Sequence, residues 1–349
     1  MSSPIKSEEE RGFGDAGQGG FGLRSMVGRA LGARETGIFL ALVLMCVGLS
    51  FASESFLTSQ NLLNVGRQVS LLGIMAVGMT FVLISGEVDL SVGSTYALAG
   101  LATGMLIVAQ WALFPAVIVG LSIGVAVGVV NGVLTTYGRI PSLIATLGML
   151  SVIRGIALLV TDGQPVTVNE RLGAVPEVLE SFEFVGQGYL FGVIPMQLVF
   201  FVAIALVAWI VLAHTNFGFR IFAVGGNAKA ARVSGMPVNA VKIWAFVVMG
   251  LLAAIAGILS MAFLPSGQAG RTGLGLELDV IAATIVGGAS LSGGEGTILG
   301  TIFGVLIIGV LRNGLVLLGI SPFVQELMIG LVIIVAVGID KWTAGRRAR

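Results

Sequence analysis

The sequence predicts an all-α, polytopic transmembrane bundle of about ten spans, each the ~20 residues a bilayer requires, with both termini cytoplasmic. Three observations predict it. Hydrophobic residues make up 56% of the 349 and charged residues 11%, with a mean hydropathy of +1.02. A soluble domain carries roughly 25% charged residues, so this chain cannot cover a water-facing surface. The apolar runs are continuous and about 20 residues long, the length of a spanning helix and not the alternating ~10-residue pattern of a membrane barrel. Lys and Arg concentrate in a few of the intervening pieces, as the positive-inside bias requires.

Residues 1–35 are polar and Gly-rich, with Glu8-Glu9-Glu10 and five basic residues, and are expected to be a disordered cytoplasmic tail. Apolar runs follow near 36–53, 67–85, 92–111, 115–135, 142–161, 196–213, 243–264, 278–292, 297–318 and 323–339. The first run is read as an uncleaved span, because a long acidic tail precedes it and a polytopic body follows. The run at 278–292 is short for a span. The membrane-embedded body therefore covers 36–340, and 341–349 is a basic cytoplasmic tail. Fourteen of the nineteen basic residues lie in the tail, 136–141, 214–242 and 340–349. The piece 162–195 instead carries Asp162, Glu170, Glu177, Glu180 and Glu183 against Arg171. The two ends of the chain agree in sign, which requires an even number of spans and puts 214–242 in the cytoplasm.

Several residue types exclude whole classes of chemistry. The single Cys46 lies in an apolar run and permits no internal disulfide framework. The net charge of +1 points to no nucleic-acid partner. His214, the only histidine, sits where a span meets the 214–242 piece and has no second ligand in view. No nucleophile–base set, catalytic carboxylate pair or Cys/His cluster stands out, so no catalytic residue, metal site or resident cofactor is expected.

Polar residues inside or between the apolar runs carry the remaining signal. Glu87 and Asp89 lie between two runs, flanked by Gly86 and Gly93. A carboxylate at mid-bilayer costs about 2.5–3.5 kcal/mol on insertion scales, so these two belong to a turn or to a protein-lined break. In a break, Asp89 and Ser91 could hydrogen-bond a hydroxylated solute, or cap the following helix. Thr80 and Asn131 are mid-span groups that either glue helices together or touch the solute. Glu87, Asp89, Ser91, Thr80 and Asn131 are the candidate solute-path residues. Arg154 and Arg312-Asn313 interrupt other runs, and Arg312 is expected to pair with Glu326 near the outer boundary. The stretch 85–93 is faintly echoed by 287–294, the mark of two repeats that each break a helix along a solute path.

Leu291-Ser292-Gly293-Gly294-Glu295 nearly spells an ATPase signature, but it works only opposite a G-x-x-x-x-G-K-[ST] loop, and the chain has none. It is read as a helix-breaking turn. Any nucleotide energy must then come from another polypeptide.

Three stretches resemble one family. Met75 to Ser94, with Gly86-Glu87-Val88-Asp89-Leu90-Ser91-Val92-Gly93-Ser94, is similar to the signature of ribose-type sugar ABC importer permeases. So are Gly225 to Val241, with Ala230-Ala231 three residues before Gly235, and Ile285 to Thr297. The resemblance runs from about 36 to 340. It implies that Gly226, Asn227, Lys229, Ala230, Ala231, Arg232, Ser234 and Gly235 dock a separate ATPase. Lys229 stands where that family commonly has Glu. The partners implied are a P-loop ATPase that holds ATP and magnesium, a second permease chain (identical or a paralogue), and an extracytoplasmic sugar-binding protein. The setting is lipid, in a bacterial inner membrane. The sequence also admits an ion- or proton-coupled secondary transporter, with Asp89 as its coupling carboxylate.

Overall fold

The computed structural model describes residues 33–338 apart from 322, 326, 332, 333, 336 and 337. The expectations for the 1–35 tail (all but its last three residues), for Glu326 and for 341–349 lie outside the described residues, as does part of the 323–339 run.

The chain is a helical bundle. Its helices are α1 (Ala33–Ala52), α2 (Ser59–Ile84), α3 (Val92–Val108), α4 (Leu113–Thr136), α5 (Ser142–Thr161), α6 (Pro176–Gln187), α7 (Met196–His214), α8 (Asn216–Gly226), α9 (Ala228–Val233), α10 (Val238–Phe263), α11 (Leu276–Val286) and α12 (Ile298–Leu317). Two small antiparallel ribbons complete it: β1 (Val166–Thr167) with β4 (Ser266–Gly267), and β2 (Tyr189–Leu190) with β3 (Ile194–Pro195).

Among the described residues, seven helices are long and apolar enough to cross a membrane: α1, α2, α4, α5, α7, α10 and α12. α3 has 17 residues and is apolar but shorter. The run at 278–292 forms only the 11 residues of α11, about 16 Å of helix, half of a hydrocarbon core of ~30 Å. The helical bundle is thus plain, and one expected span is a half-length helix.

α2 and α10 form the centre. Both are 26 residues long and mostly buried. α10 packs on α4 along a stripe of glycines at every fourth position: Gly120, Gly124, Gly128 and Gly132. A Cβ on Gly124 would stand 2.2 Å from the Gly250 carbonyl, and one on Gly128 2.4 Å from that of Phe246. Gly100 of α3 meets Gly257 of α10 in the same way. In lipid, helices gain no hydrophobic drive by associating, so close backbone approach through small residues replaces it. The outer helices are less enclosed, and α5 and α7 expose large aliphatic side chains such as Ile144, Leu159, Val202 and Leu206.

Buried polar pairs fasten the second layer. Asn61 and Asn313 exchange side-chain amide bonds between α2 and α12 at 3.0 and 2.7 Å. Arg312 donates to both oxygens of Asp279 on α11, at 3.0 and 2.8 Å. The expected partner, Glu326, lies outside the described residues; the acid that holds Arg312 comes from the preceding helix.

The α4 stripe sets an expectation. Gly124→Val should lower the thermal midpoint of the purified protein in detergent, by the equivalent of about 1–3 kcal/mol of overpacking. Gly148→Val on α5, where an added Cβ meets nothing within 4 Å, should leave the midpoint in place.

Candidate functional site

Three chain segments converge at the end of the bundle that carries α8 and α9. The first is the break 85–91 between α2 and α3. The second is the end of α8 at Gly225-Gly226. The third is the turn 287–297 between α11 and α12. The Gly294 N–H donates to the Ile84 carbonyl at 2.9 Å. A Cβ on Gly225 would lie 1.6 Å from that carbonyl, and one on Gly293 2.7 Å from the Gly225 carbonyl and 2.8 Å from Gly86 Cα. The approach of three backbones excludes side chains. The two breaks that echo one another in sequence therefore meet, and they meet on the root of the polar loop.

Gly86, Gly293 and Gly294 have φ of +80°, +83° and +74°, a region that L side chains enter at a cost. That φ turns the chain sharply enough to end α2 and to fold the second break back. The Leu291-Ser292-Gly293-Gly294-Glu295 stretch is therefore a turn, as expected.

The candidate path residues divide between two places. Asp89 is buried, and its Oδ1 accepts from the Ser91 N–H at 2.8 Å and the Ser91 hydroxyl at 2.7 Å. Asn131 of α4 donates to the Ser91 Oγ at 2.8 Å and, more weakly, to both Asp89 oxygens at 3.4 and 3.3 Å. From α5, Ser142 Oγ accepts from the Val88 N–H and Thr146 Oγ1 from the Leu90 N–H, at 3.2 and 3.0 Å. The break's orphan backbone donors are thus satisfied by side chains of α5, and its carboxylate shapes the entry to α3. Glu87 points elsewhere and forms an ion pair with Lys242 near the start of α10. Thr80 is not part of this cluster. It lies between α2 and α12, with its hydroxyl 2.6 Å from that of Thr301.

The polar loop is two short helices joined by a cap. Asn227 Oδ1 accepts from the Ala230 N–H at 3.0 Å and starts α9. Seven of the eight expected docking residues are exposed: Gly226, Asn227, Lys229, Ala230, Arg232, Ser234 and Gly235. Ala231 is buried and anchors α9 to the bundle. Gly235 has φ +80° with open space around it, so its requirement is conformational and not steric. Sequence reasoning missed Val233, which is 90% exposed at the end of α9.

A second feature was not foreseen. Beyond the end of α10 the chain turns back into the bundle, and by Gly273 it lies against Gly93 at the start of α3. Arg154 of α5 holds this non-helical stretch by donating to the carbonyls of Ala269 and Thr272 at 2.7 and 2.5 Å. The stretch closes a cavity of about 180 Å³ against α3 and α10, with Tyr96, Ser260, Ser266 and Thr272 among its lining. Irregular backbone at membrane depth is tolerated where it lines a cavity or is buried in protein. Among the described residues no group of His, Cys, Asp and Glu is arranged to hold a metal ion.

Residues 61–337 match the family model described as branched-chain amino acid transport system / permease component. The chain is 42% identical to the ribose import permease protein RbsC of Bacillus subtilis over 309 residues, 88% of this chain and 93% of that one. It is 41% identical to RbsC of Escherichia coli K12 over 301 residues, 86% and 92% of the two chains. It is 38% identical to the L-arabinose ABC transporter permease protein AraH of Azospirillum brasilense over 316 residues, 90% and 89%. No solved structure matches it.

The junction makes a discriminating prediction. Gly225→Ala should destabilise the fold sharply, because its methyl group would overlap a backbone carbonyl that cannot swing aside. Gly226→Ala, one residue on and with nothing within 4 Å, should express and melt like the parent. Equal midpoints for the two variants would remove the junction from the account.

Proposed function

The chain belongs to the permease-component family of binding-protein-dependent transport systems, and from that premise we propose that it is the permease subunit of a monosaccharide importer driven by ATP. The family model names branched-chain amino acids, but the relatives near 40% identity over nearly full length carry ribose and arabinose in their names. Coverage of that extent favours a pentose or similar sugar. The family is one of transport, not of enzymes. It displaces the ion- or proton-coupled transporter as a reading of this sequence.

In this proposal the protein is a multi-pass component of the bacterial inner membrane, with ten crossings and both termini inside. α11 and the non-helical stretch before it make one crossing between them. Two permease chains, identical or paralogous, enclose the path. Two copies of a P-loop ATPase, which holds ATP and magnesium, cover the cytoplasmic loops. A sugar-binding protein delivers from outside.

The observation that carries this reading is the contact between the loop and both helix breaks. ATP binding changes the spacing of the ATPase pair, and the exposed face of α9 follows it through Lys229, Ala230, Arg232 and Val233. Gly225 has no side chain to cushion a shift against Ile84, Gly293 and Gly294, so movement of α8 reaches the two breaks directly. The Glu87–Lys242 ion pair ties the first break to the start of α10, on the other flank of the loop. The ATPase states bias the permease only through their differential affinity for its two conformations. Asp89, Ser91 and Asn131 then act by holding the break's shape. The cavity beside the Arg154-held stretch is the more suitable place for sugar hydroxyls.

Reconstitution with the ATPase and binding protein tests the reading. Wild-type vesicles should take up sugar with ATP and no ion gradient. Gly235→Trp should dock poorly and lose most uptake, while Gly235→Asn, a residue that tolerates left-handed φ, should retain it. Uptake that needs a proton gradient and not ATP would reject the proposal.

Topology is tested separately. In a Cys46→Ala background, a cysteine at Ser181 should react with an impermeant thiol reagent in intact spheroplasts, and one at Asn239 only after lysis. Labelling of both from outside would overturn the orientation.

A further inference from the structure

We infer that the cavity between α2, α7 and the end of α10 binds the headgroup of a phospholipid that carries a hydrogen-bond donor. The cavity is about 100 Å³ and is lined by Asn64, Arg67, Gln68, Leu71, Gln197 and Phe263. It lies at the end of the bundle opposite α8 and α9. Nothing in the coupling scheme uses it.

Two buried atoms of opposite polarity are left without partners here. Arg67 Nε is a donor, and Gln197 Oε1 is an acceptor on a side chain only 1% exposed. The Gln197 amide cannot be turned to relieve this, because its Nε2 already donates to the Gly186 carbonyl. An unsatisfied buried polar atom costs about 1–3 kcal/mol, so a natural occupant would present an acceptor to Arg67 and a donor to Gln197.

Arg67 also has no carboxylate partner among the described residues. Its other nitrogens reach Asn64 Oδ1 at 3.5 Å and the Tyr189 hydroxyl. The guanidinium lies 5.0 and 5.7 Å from the ring centres of Tyr189 and Phe263. Two aromatic faces fix the plane of the fork and leave its charge to be met by an anion. A phosphodiester meets it best, since Arg offers phosphate paired donors.

Depth and surroundings favour a lipid as the source of that phosphate. α2 is 26 residues long, about 39 Å, against a hydrocarbon core of ~30 Å. Arg67 stands about 12 Å from its first residue, so with the ~9 Å excess on that side it lies about 3 Å inside the core, within snorkelling reach of the headgroups. Beside it the β2–β3 ribbon displays Phe191 at 88% exposure, with Val193 and Ile194, while Phe263 and Leu264 are exposed at the end of α10. Exposed aromatic and aliphatic side chains at this level form a surface for acyl chains and for the aromatic belt of an interface. The phosphate therefore sits on Arg67, and the ammonium of ethanolamine or a hydroxyl of glycerol donates to Gln197.

Native mass spectrometry of the full-length chain, delipidated in detergent and titrated with single lipids, tests this. Phosphatidylethanolamine and phosphatidylglycerol should bind about tenfold more tightly than phosphatidylcholine, whose headgroup has the phosphate but no N–H or O–H. That comparison needs no variant. Gln197→Met should erase the preference among the three, and Arg67→Gln should weaken all three about tenfold. Folding of both variants is checked by their thermal midpoints. Competition by glycerophosphoethanolamine or inorganic phosphate at millimolar concentration would show a site for a free anion and overturn the lipid assignment. Displacement of lipid by pentose would overturn it in favour of a solute site. Equal retention of all three lipids by the wild type would leave a bridging water as the occupant and end the proposal.

Discussion

The structure depends on one steric constraint: three backbones share the space around Gly225. The Ile84 carbonyl and the Gly294 backbone nitrogen approach so closely that no Cβ fits at Gly225, and Gly86 in turn crowds Gly293. The Gly294 N–H bonds the same Ile84 carbonyl. Packed interiors transmit displacement because they are close-packed and low in compressibility. A contact made of backbone transmits it with least loss, since no rotamer can absorb the shift. The end of α8 is thus mechanically joined to the end of α2 and to the turn before α12. α9, capped by Asn227 and anchored by Ala231, is the exposed part of that unit.

Around the junction the polar residues hold shape. Asp89, Ser91 and Asn131 close one network, while Ser142 and Thr146 take up the break's free N–H groups. A break in a helix at membrane depth survives only when such groups are satisfied inside the protein. The same rule governs the stretch after α10, where Arg154 satisfies two carbonyls and leaves a cavity beside them. The glycine stripe of α4 on α10 supplies the rigid wall against which these irregular segments are set.

Much of this was legible in the sequence, for physical reasons. Composition and run length specify helices in lipid, because lipid admits few alternatives. The polar loop is legible from its charge and from Ala230-Ala231 three residues before Gly235. The partners of single polar residues are not legible. Asn131 lies 42 positions from Asp89 and leaves no local pattern. Arg154 is held by carbonyl oxygens, which every residue has, so no side chain marks its partner. Arg312 pairs with Asp279 on the helix before, a partner that charge reasoning did not name. The run at 278–292 reads as short for a span, but its half-length α11 and the non-helical stretch before it were not legible, because a run of apolar residues records burial and not the path of the chain. Glycines at 120, 124, 128 and 132 stood in plain view, but only the opposing α10 shows which face they serve.

The claim that loop and breaks move as one body is tested most directly by hydrogen exchange. The permease in nanodiscs would be compared alone and with its ATPase docked, with and without ATP. The account predicts that ATPase docking changes exchange at 226–237 and, in step with it, at 84–91 and 288–296, including the Gly294 amide. Protection confined to 226–237, with both breaks unchanged in every state, would contradict it.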